Sequence, residues 1–301
     1  MATLESKQGK KGTHVILYGT TLTGKSLLAG KLAEHFNLIW IDLENGAEVL
    51  TQLPKEWQSR IELIDLPDTR SYPIAIETML KLVKASGPVS ICDTHGKVDC
   101  LICKKENASF TTVDLSALTP QSNTIVVIDS LTQLTNSAIA NITKNKPDDY
   151  KLDYDDWGNL GKLLDIVLSH IQQAKYHAVV ISHEQEVETE GKKNILAPVG
   201  GTRNYSRNVA RFFGHSVYAE KKNKKHVFAS STGYATNVLT GSRTNVSLEN
   251  SQGEASLLQI FKPELYLNTP ATTGGNTPTT SNQTATILSK LKNNPNLSKG
   301  N

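Results

Sequence analysis

The sequence predicts an α/β fold, a mainly parallel central sheet flanked by helices with a small metal-binding insertion and a disordered carboxyl-terminal tail. Three observations predict it. Short β-branched runs alternate with helical stretches, a glycine loop of fixed spacing joins the first run to a helix, and 301 residues at 38% hydrophobic content can bury one large core. The runs at residues 15–18, 38–43, 61–66, 125–128 and 178–181 read as strands, and 26–36, 73–85 and 157–174 as helices. The last helix carries Leu160, Leu163, Leu164, Val167, Leu168 and Ile171 at helical spacing. After Ile181 the pattern changes: 216–220 and 226–230 flank the lysine-rich turn 221–225 and predict an antiparallel hairpin at the sheet edge. Residues 1–12 are polar and lysine-rich and read as a flexible start. One domain is expected over 13–267. Residues 268–283, almost wholly Thr, Asn, Gly, Pro and Ser, cannot offset chain entropy, so 268–301 reads as a disordered tail in which 285–292 forms at most a short helix.

Gly19, Thr20, Thr21, Leu22, Thr23, Gly24, Lys25 and Ser26 fit G-x-x-x-x-G-K-[ST] directly after the first apolar run. The glycines let successive backbone N–H groups face phosphates, and the following helix, entered through Leu27, adds the positive end of its dipole. Lys25 is expected at the β and γ phosphates of ATP, and the Ser26 hydroxyl on Mg²⁺. The run 124–128 ends in Asp129, which is expected to hold the magnesium side of the site. Ser130 follows it, so the carboxylate that acts on the attacking water must come from elsewhere. The second strand ends in Asp42 and Glu44 at the edge where open α/β sheets bind ligands, and Glu44 is placed to orient or deprotonate that water. The alternative is a salt-bridging surface carboxylate.

The order of phosphate loop, Ile41-Asp42-Leu43-Glu44, Val127-Ile128-Asp129-Ser130 and Val180-Ile181-Ser182-His183 resembles the RecA-type recombinase core, and more narrowly the phage RecA-like ATPases of the Sak-type single-strand annealing group. The resemblance spans about residues 12–243 and implies a RecA-like P-loop NTPase core. It makes Glu44 the catalytic glutamate and His183 the γ-phosphate sensor, where the recombinases proper carry glutamine. It also implies single-stranded DNA as partner, a single-strand-binding protein beside it, and a homo-oligomer, ring or filament, in which a cation from one subunit completes its neighbour's site. Arg243 and the turn 221–225 are candidates for that cation. The segment 185–208 corresponds to the second DNA loop, a mobile one, with Lys192, Lys193, Arg203 and Arg207 for phosphate contact, and 141–156 to the first. A solvated charged loop is the competing account of 185–208, which also carries Glu186, Glu188 and Glu190.

Cys92-x2-His95-x4-Cys100-x2-Cys103 collects every cysteine of the chain within twelve residues. Two short-range pairs of thiolate and imidazole donors suit tetrahedral Zn²⁺, and a full set of four leaves no open position, so the site reads as structural. The insertion, 88–110, is expected to project from the core, for contact with DNA or with another subunit.

Composition narrows the rest. The formal charge is +3, and the tail from 268 carries Lys290, Lys292 and Lys299 without an acid, so the body is neutral and DNA binding must rest on local clustering. No run of about 18 apolar residues and no leader-like segment occurs, which predicts no membrane contact and a cytoplasmic protein, in the host cell if phage-encoded. The expected function is an ATP-dependent, single-stranded-DNA-binding recombination protein that promotes annealing or strand exchange. The alternative is a nucleotide-gated mediator or helicase-loader-like module with little turnover.

Overall fold

Strands that run apolar from end to end must be covered on both faces, and here they form the middle of one sheet. A computed structural model describes residues 11–188, 193–223, 225–231, 234–243, 248 and 254–267. The expected tail, its short helix, most of the flexible start and Lys192 lie outside the described residues.

The elements follow in chain order as β1 (His14–Gly19), α1 (Lys25–Gly30), β2 (Asn37–Asp42), α2 (Lys55–Gln58), β3 (Ile61–Asp65) and α3 (Ile74–Lys84). Next come β4 (Val89–Cys92), α4 (Leu101–Lys105), β5 (Phe110–Val113), β6 (Thr124–Asp129), α5 (Leu131–Thr143), α6 (Tyr154–Gln173) and β7 (His177–Ser182). The chain then forms β8 (Glu184–Glu188), β9 (Asn194–Pro198), α7 (Arg203–Val209), β10 (His215–Lys222), β11 (Lys225–Ala229), β12 (Gly241–Ser242), α8 (Leu258–Phe261) and α9 (Glu264–Leu267). The main sheet runs β11-β10-β1-β7-β6-β2-β3, with β12 on the start of β10. From β10 to β3 every pairing is parallel; β11 is antiparallel to β10, as the lysine-rich turn predicted, and β12 also pairs antiparallel with β10.

Alternation along the strands divides the core in two. Ile16, Ile41, Ile64, Val126, Ile128 and Val180 face α3, α5 and α6, whereas Val15, Leu17, Trp40, Val127 and Val179 face α1. Buried Leu257, Leu258, Ile260 and Phe261 close the α1 side. There Phe36, His177 and Phe261 meet edge to face at 5.5–6.3 Å.

Three expectations need correction. The helix after the phosphate loop is α only to Gly30 and tightens into a 3₁₀ turn, Lys31–Glu34. The described part of the segment expected as a mobile second loop is an antiparallel hairpin, β8–β9, followed by α7. The cysteine insertion does not project freely, because the antiparallel pair β4–β5 carries Val89, Ile91 and Val113 into the α3 side of the core. Alternating apolar positions in 89–113, passed over in favour of the cysteines, are the signal that would have shown it.

Candidate functional site

All the parallel strands end at one edge, and register brings Asp42 beside Asp129, Asp129 beside Ile181, and Tyr18 beside Ser182. One strand, β7, thus separates the strand that leads into the phosphate loop from the strand that ends in Asp129.

At Gly19 the backbone turns with φ +151°, and a Cβ there would stand 2.0 Å from the Ala219 carbonyl, so the sheet itself demands glycine. Gly24 enters α1 at φ +82°, a left-handed conformation that favours glycine. Lys25 donates from Nζ to the carbonyls of Gly19 (3.0 Å) and Thr20 (2.6 Å), and Thr23 Oγ1 donates to Thr20 O at 2.8 Å. Burial pushes the Lys25 ammonium below its ordinary pKa, against the pull of Asp129, Glu44 and Glu184. A ligand phosphate would relieve that cost.

Ser26 Oγ donates to Asp129 Oδ2 at 2.8 Å, bringing loop and strand together. Asp129 is 5% exposed, and burial first, then the Glu44 and Asp42 carboxylates, push it up to about 7 despite the Ser26 hydrogen bond. A hydroxyl and a carboxylate sharing one spot, with the acid short of positive charge, are hard oxygen donors that fit Mg²⁺, which keeps most of its ligands as water.

Glu44 is set by its neighbours. Asp42, 2% exposed, accepts the Glu44 backbone N–H (3.0 Å) and that of Ala47 (2.8 Å), which fixes the turn after β2. Asp42 is therefore an anchor, a role that sequence reasoning missed. Glu44 Oε1 accepts the Ser130 hydroxyl and lies 3.5 Å from His183 Nε2. Burial works to raise the Glu44 pKa, but hydrogen bonds from His183 and Ser130 and the charge of Lys25 prevail and hold it below the usual carboxylate value. The His183 backbone N–H donates to Thr132 Oγ1 at 2.9 Å, tying the end of β7 to the first turn of α5. On the outer side of the loop His226 Nδ1 donates to Thr23 O at 2.9 Å, a contact that nothing in the lysine-rich turn announced.

The remaining candidates are dispersed. Lys193 and Arg203 are exposed at the starts of β9 and α7, and Arg207 donates to the Glu188 carbonyl at 3.2 Å. In the first-loop segment Asp153 and Asp156 form the capping box of α6, and both take the Tyr150 hydroxyl. These acids are structural, whereas Tyr154 is 90% exposed. Arg243 donates its backbone N–H to Gly214 O beside the start of β10, at the edge of the sheet opposite its own phosphate loop.

Cys92, Cys100 and Cys103 are buried and free, and with His95 they place four ligand atoms within 4.8 Å of one another. His95 Nδ1 lies 3.0 Å from Cys103 Sγ and 3.7 Å from Cys100 Sγ. A tetrahedral zinc with bonds of about 2.3 Å needs sulfurs about 3.8 Å apart, so this set fits it. The hydrogen bond from the Cys103 amide holds the Cys100 thiol down at about 7, and desolvation with the adjoining sulfurs pushes Cys103 up to about 12. Three thiolates cannot share this spot without a cation.

The AAA domain family matches residues 11–224, from the first strand through the hairpin turn. The chain belongs to the AAA domain family. Its members' nucleotide-binding character agrees with the Gly19–Ser26 loop and its Asp129 partner. No curated protein matches the chain in sequence. The crystal structure of the RadB recombinase is similar at 18% identity and a TM-score of 0.39, over 73% of this chain and 81% of that one. No described helix of this AAA domain protein is long and apolar enough to cross a membrane.

Proposed function

We propose that this chain is an ATP hydrolase of the RecA-like recombination type, stimulated by single-stranded DNA and promoting annealing or strand exchange. The observation that carries the reading is the meeting of Glu44, Ser130 and His183 beside the Ser26–Asp129 pair. A held carboxylate next to a phosphate-and-magnesium cradle is what an in-line attack of water on a γ-phosphate requires.

In this reading the loop amides and Lys25 take the β and γ phosphates, Lys25 giving up Gly19 O and Thr20 O. Ser26 and Asp129 would hold Mg²⁺, which would supply positive charge for the phosphates. Glu44, ionised at neutral pH, orients the attacking water and accepts its proton as the new P–O bond forms and the bond from the γ-phosphorus to the bridging oxygen breaks, the electron pair leaving with ADP. His183 meets the γ-phosphate through the imidazole now turned to Glu44, so nucleotide and carboxylate compete for one ring. Its backbone continues into β8, and Lys192, Lys193, Arg203 and Arg207 are assigned to DNA phosphates. Cys92, His95, Cys100 and Cys103 would hold zinc, which would cross-link the β4–β5 module. A homo-oligomer with Arg243 or the 221–225 turn acting on a neighbour, a single-strand-binding partner, and a phage Sak-type origin belong to the same proposal.

A second reading has one observation in its favour. Glu44 is already held twice, by Ser130 and His183, a restraint that would keep it from a water in a nucleotide-gated loader with little turnover. The rate of phosphate release with and without single-stranded DNA separates the two. DNA-stimulated release abolished by Lys25→Ala and by Glu44→Gln supports the motor; release indifferent to DNA, or untouched by Glu44→Gln, rejects it for the loader.

A further inference from the structure

Tyr18 is the last residue before the phosphate loop, and its side chain is completely buried. Its hydroxyl accepts the Leu239 backbone N–H at 2.8 Å. The single phenolic proton faces two carbonyls, Leu239 O at 2.9 Å and Leu196 O at 3.2 Å. Leu196 lies in the middle of β9, so one acceptor belongs to the β8–β9 hairpin and the other to the strand-like segment beside it. These two chains are bonded to each other through Leu196 N to Asn237 O (2.7 Å) and Leu239 N to Leu196 O (3.2 Å). The Tyr18 ring packs on Tyr218, its register partner on β10, at 5.2 Å.

A hydroxyl with one proton and two acceptors can donate to either, and the residue after it, Gly19, opens the loop that the proposed function assigns to phosphate. Gly19 O accepts the Lys25 ammonium. When a γ-phosphate draws Lys25 away, the Gly19 carbonyl loses its cation, and the Gly19–Thr20 peptide, one residue on from Tyr18, loses that restraint. We propose that Tyr18 is a positioning residue that carries the occupancy of the phosphate loop to the β8–β9 hairpin, by shifting its hydroxyl between Leu239 O and Leu196 O. The route is separate from His183, which reaches β8 through the backbone, and it acts on β9. It rests on the nucleotide reading of the site, but neither on hydrolysis nor on DNA.

The test is amide hydrogen exchange of the full chain with and without a non-hydrolysable ATP analogue and Mg²⁺, comparing Tyr18→Phe, which keeps the ring packing. In the unsubstituted protein, nucleotide is expected to change exchange over 193–198 and at Leu239 by about fivefold or more, the lower range of measured couplings. Tyr18→Phe is expected to bind the analogue within about twofold of the unsubstituted protein and to lose that response. A merely structural hydroxyl would alter exchange equally with and without nucleotide, and that result overturns the inference. So does an unsubstituted protein whose Leu239 amide ignores nucleotide, a measurement that needs no variant. Both failures leave DNA-stimulated hydrolysis standing, whereas absence of analogue binding to the unsubstituted chain removes the nucleotide site and this inference with it.

Discussion

Glu44 Oε1 is shared by the Ser130 hydroxyl and, at 3.5 Å, by His183 Nε2, so the end of the second strand is tied to the ends of two others. Glu44→Gln is expected to lower phosphate release by about 10²–10⁴-fold, the range of a positioned acid or base, while nucleotide affinity holds. His183→Ala removes the foremost of the contacts that keep the Glu44 pKa low. The Glu44 pKa should therefore rise, moving the acid limb of a pH–rate profile to higher pH. An unmoved limb in His183→Ala would show that the imidazole does not govern Glu44.

Glu44 also shows how far residue order can be read. The loop, Asp129 and the parallel sheet were legible because glycine spacing and apolar runs are local signals. What holds Glu44 was not legible: Asp42 is an anchor because it accepts the Glu44 and Ala47 amides, and its place at the strand end does not show this. His226 was likewise hidden, since its contact with Thr23 depends on β11 lying two strands from β1. In the 141–156 segment Asp153 and Asp156 cap a helix, a role that their charge alone does not announce. Local sequence reports charge; it does not report what the charge is bonded to.

The cysteine cluster should carry one zinc per chain, released by a thiol-modifying reagent and read with a colorimetric chelator. Because β4 and β5 supply Val89, Ile91 and Val113 to the main core, losing the metal should reach beyond the insertion. Cys100→Ser is expected to lower the melting temperature by roughly 5–10 °C. A variant without zinc that melts like the parent would mean that the core contacts alone hold the hairpin.

His14 and His215 are buried on neighbouring strands, and burial, the first cause in each, brings both pKa values down to about 4. In the unfolded chain each titrates near 6.5. Between those values the unfolded state binds more protons, so stability is complete above about pH 6.5 and is lost as pH falls toward 4. The loss is on the order of 3 kcal/mol per histidine at about 1.36 kcal/mol per pKa unit. Urea denaturation at pH 7 and pH 5 should show it, and His215→Gln should flatten the slope. Because the raised Asp129 carboxyl works in the opposite direction over the same range, the comparison is with the variant: a His215→Gln protein that keeps the parent's full pH dependence would contradict the buried neutral state.

Trp40 is fully buried against α1, and its indole Nε1–H has no hydrogen-bond partner among the described residues. An unpaired buried donor costs its desolvation, about 1–3 kcal/mol, whereas the ring itself contributes packing. The two parts can be separated. Trp40→Phe removes the orphan N–H along with some ring volume, so gain and loss offset and stability should change by less than about 1.5 kcal/mol. Trp40→Ala leaves a cavity among Leu28, Leu32 and Val127 and should cost about 3–5 kcal/mol. Chemical denaturation of both variants decides it: a phenylalanine variant as unstable as the alanine one would mean that the N–H has a partner after all, a buried water held against the sheet.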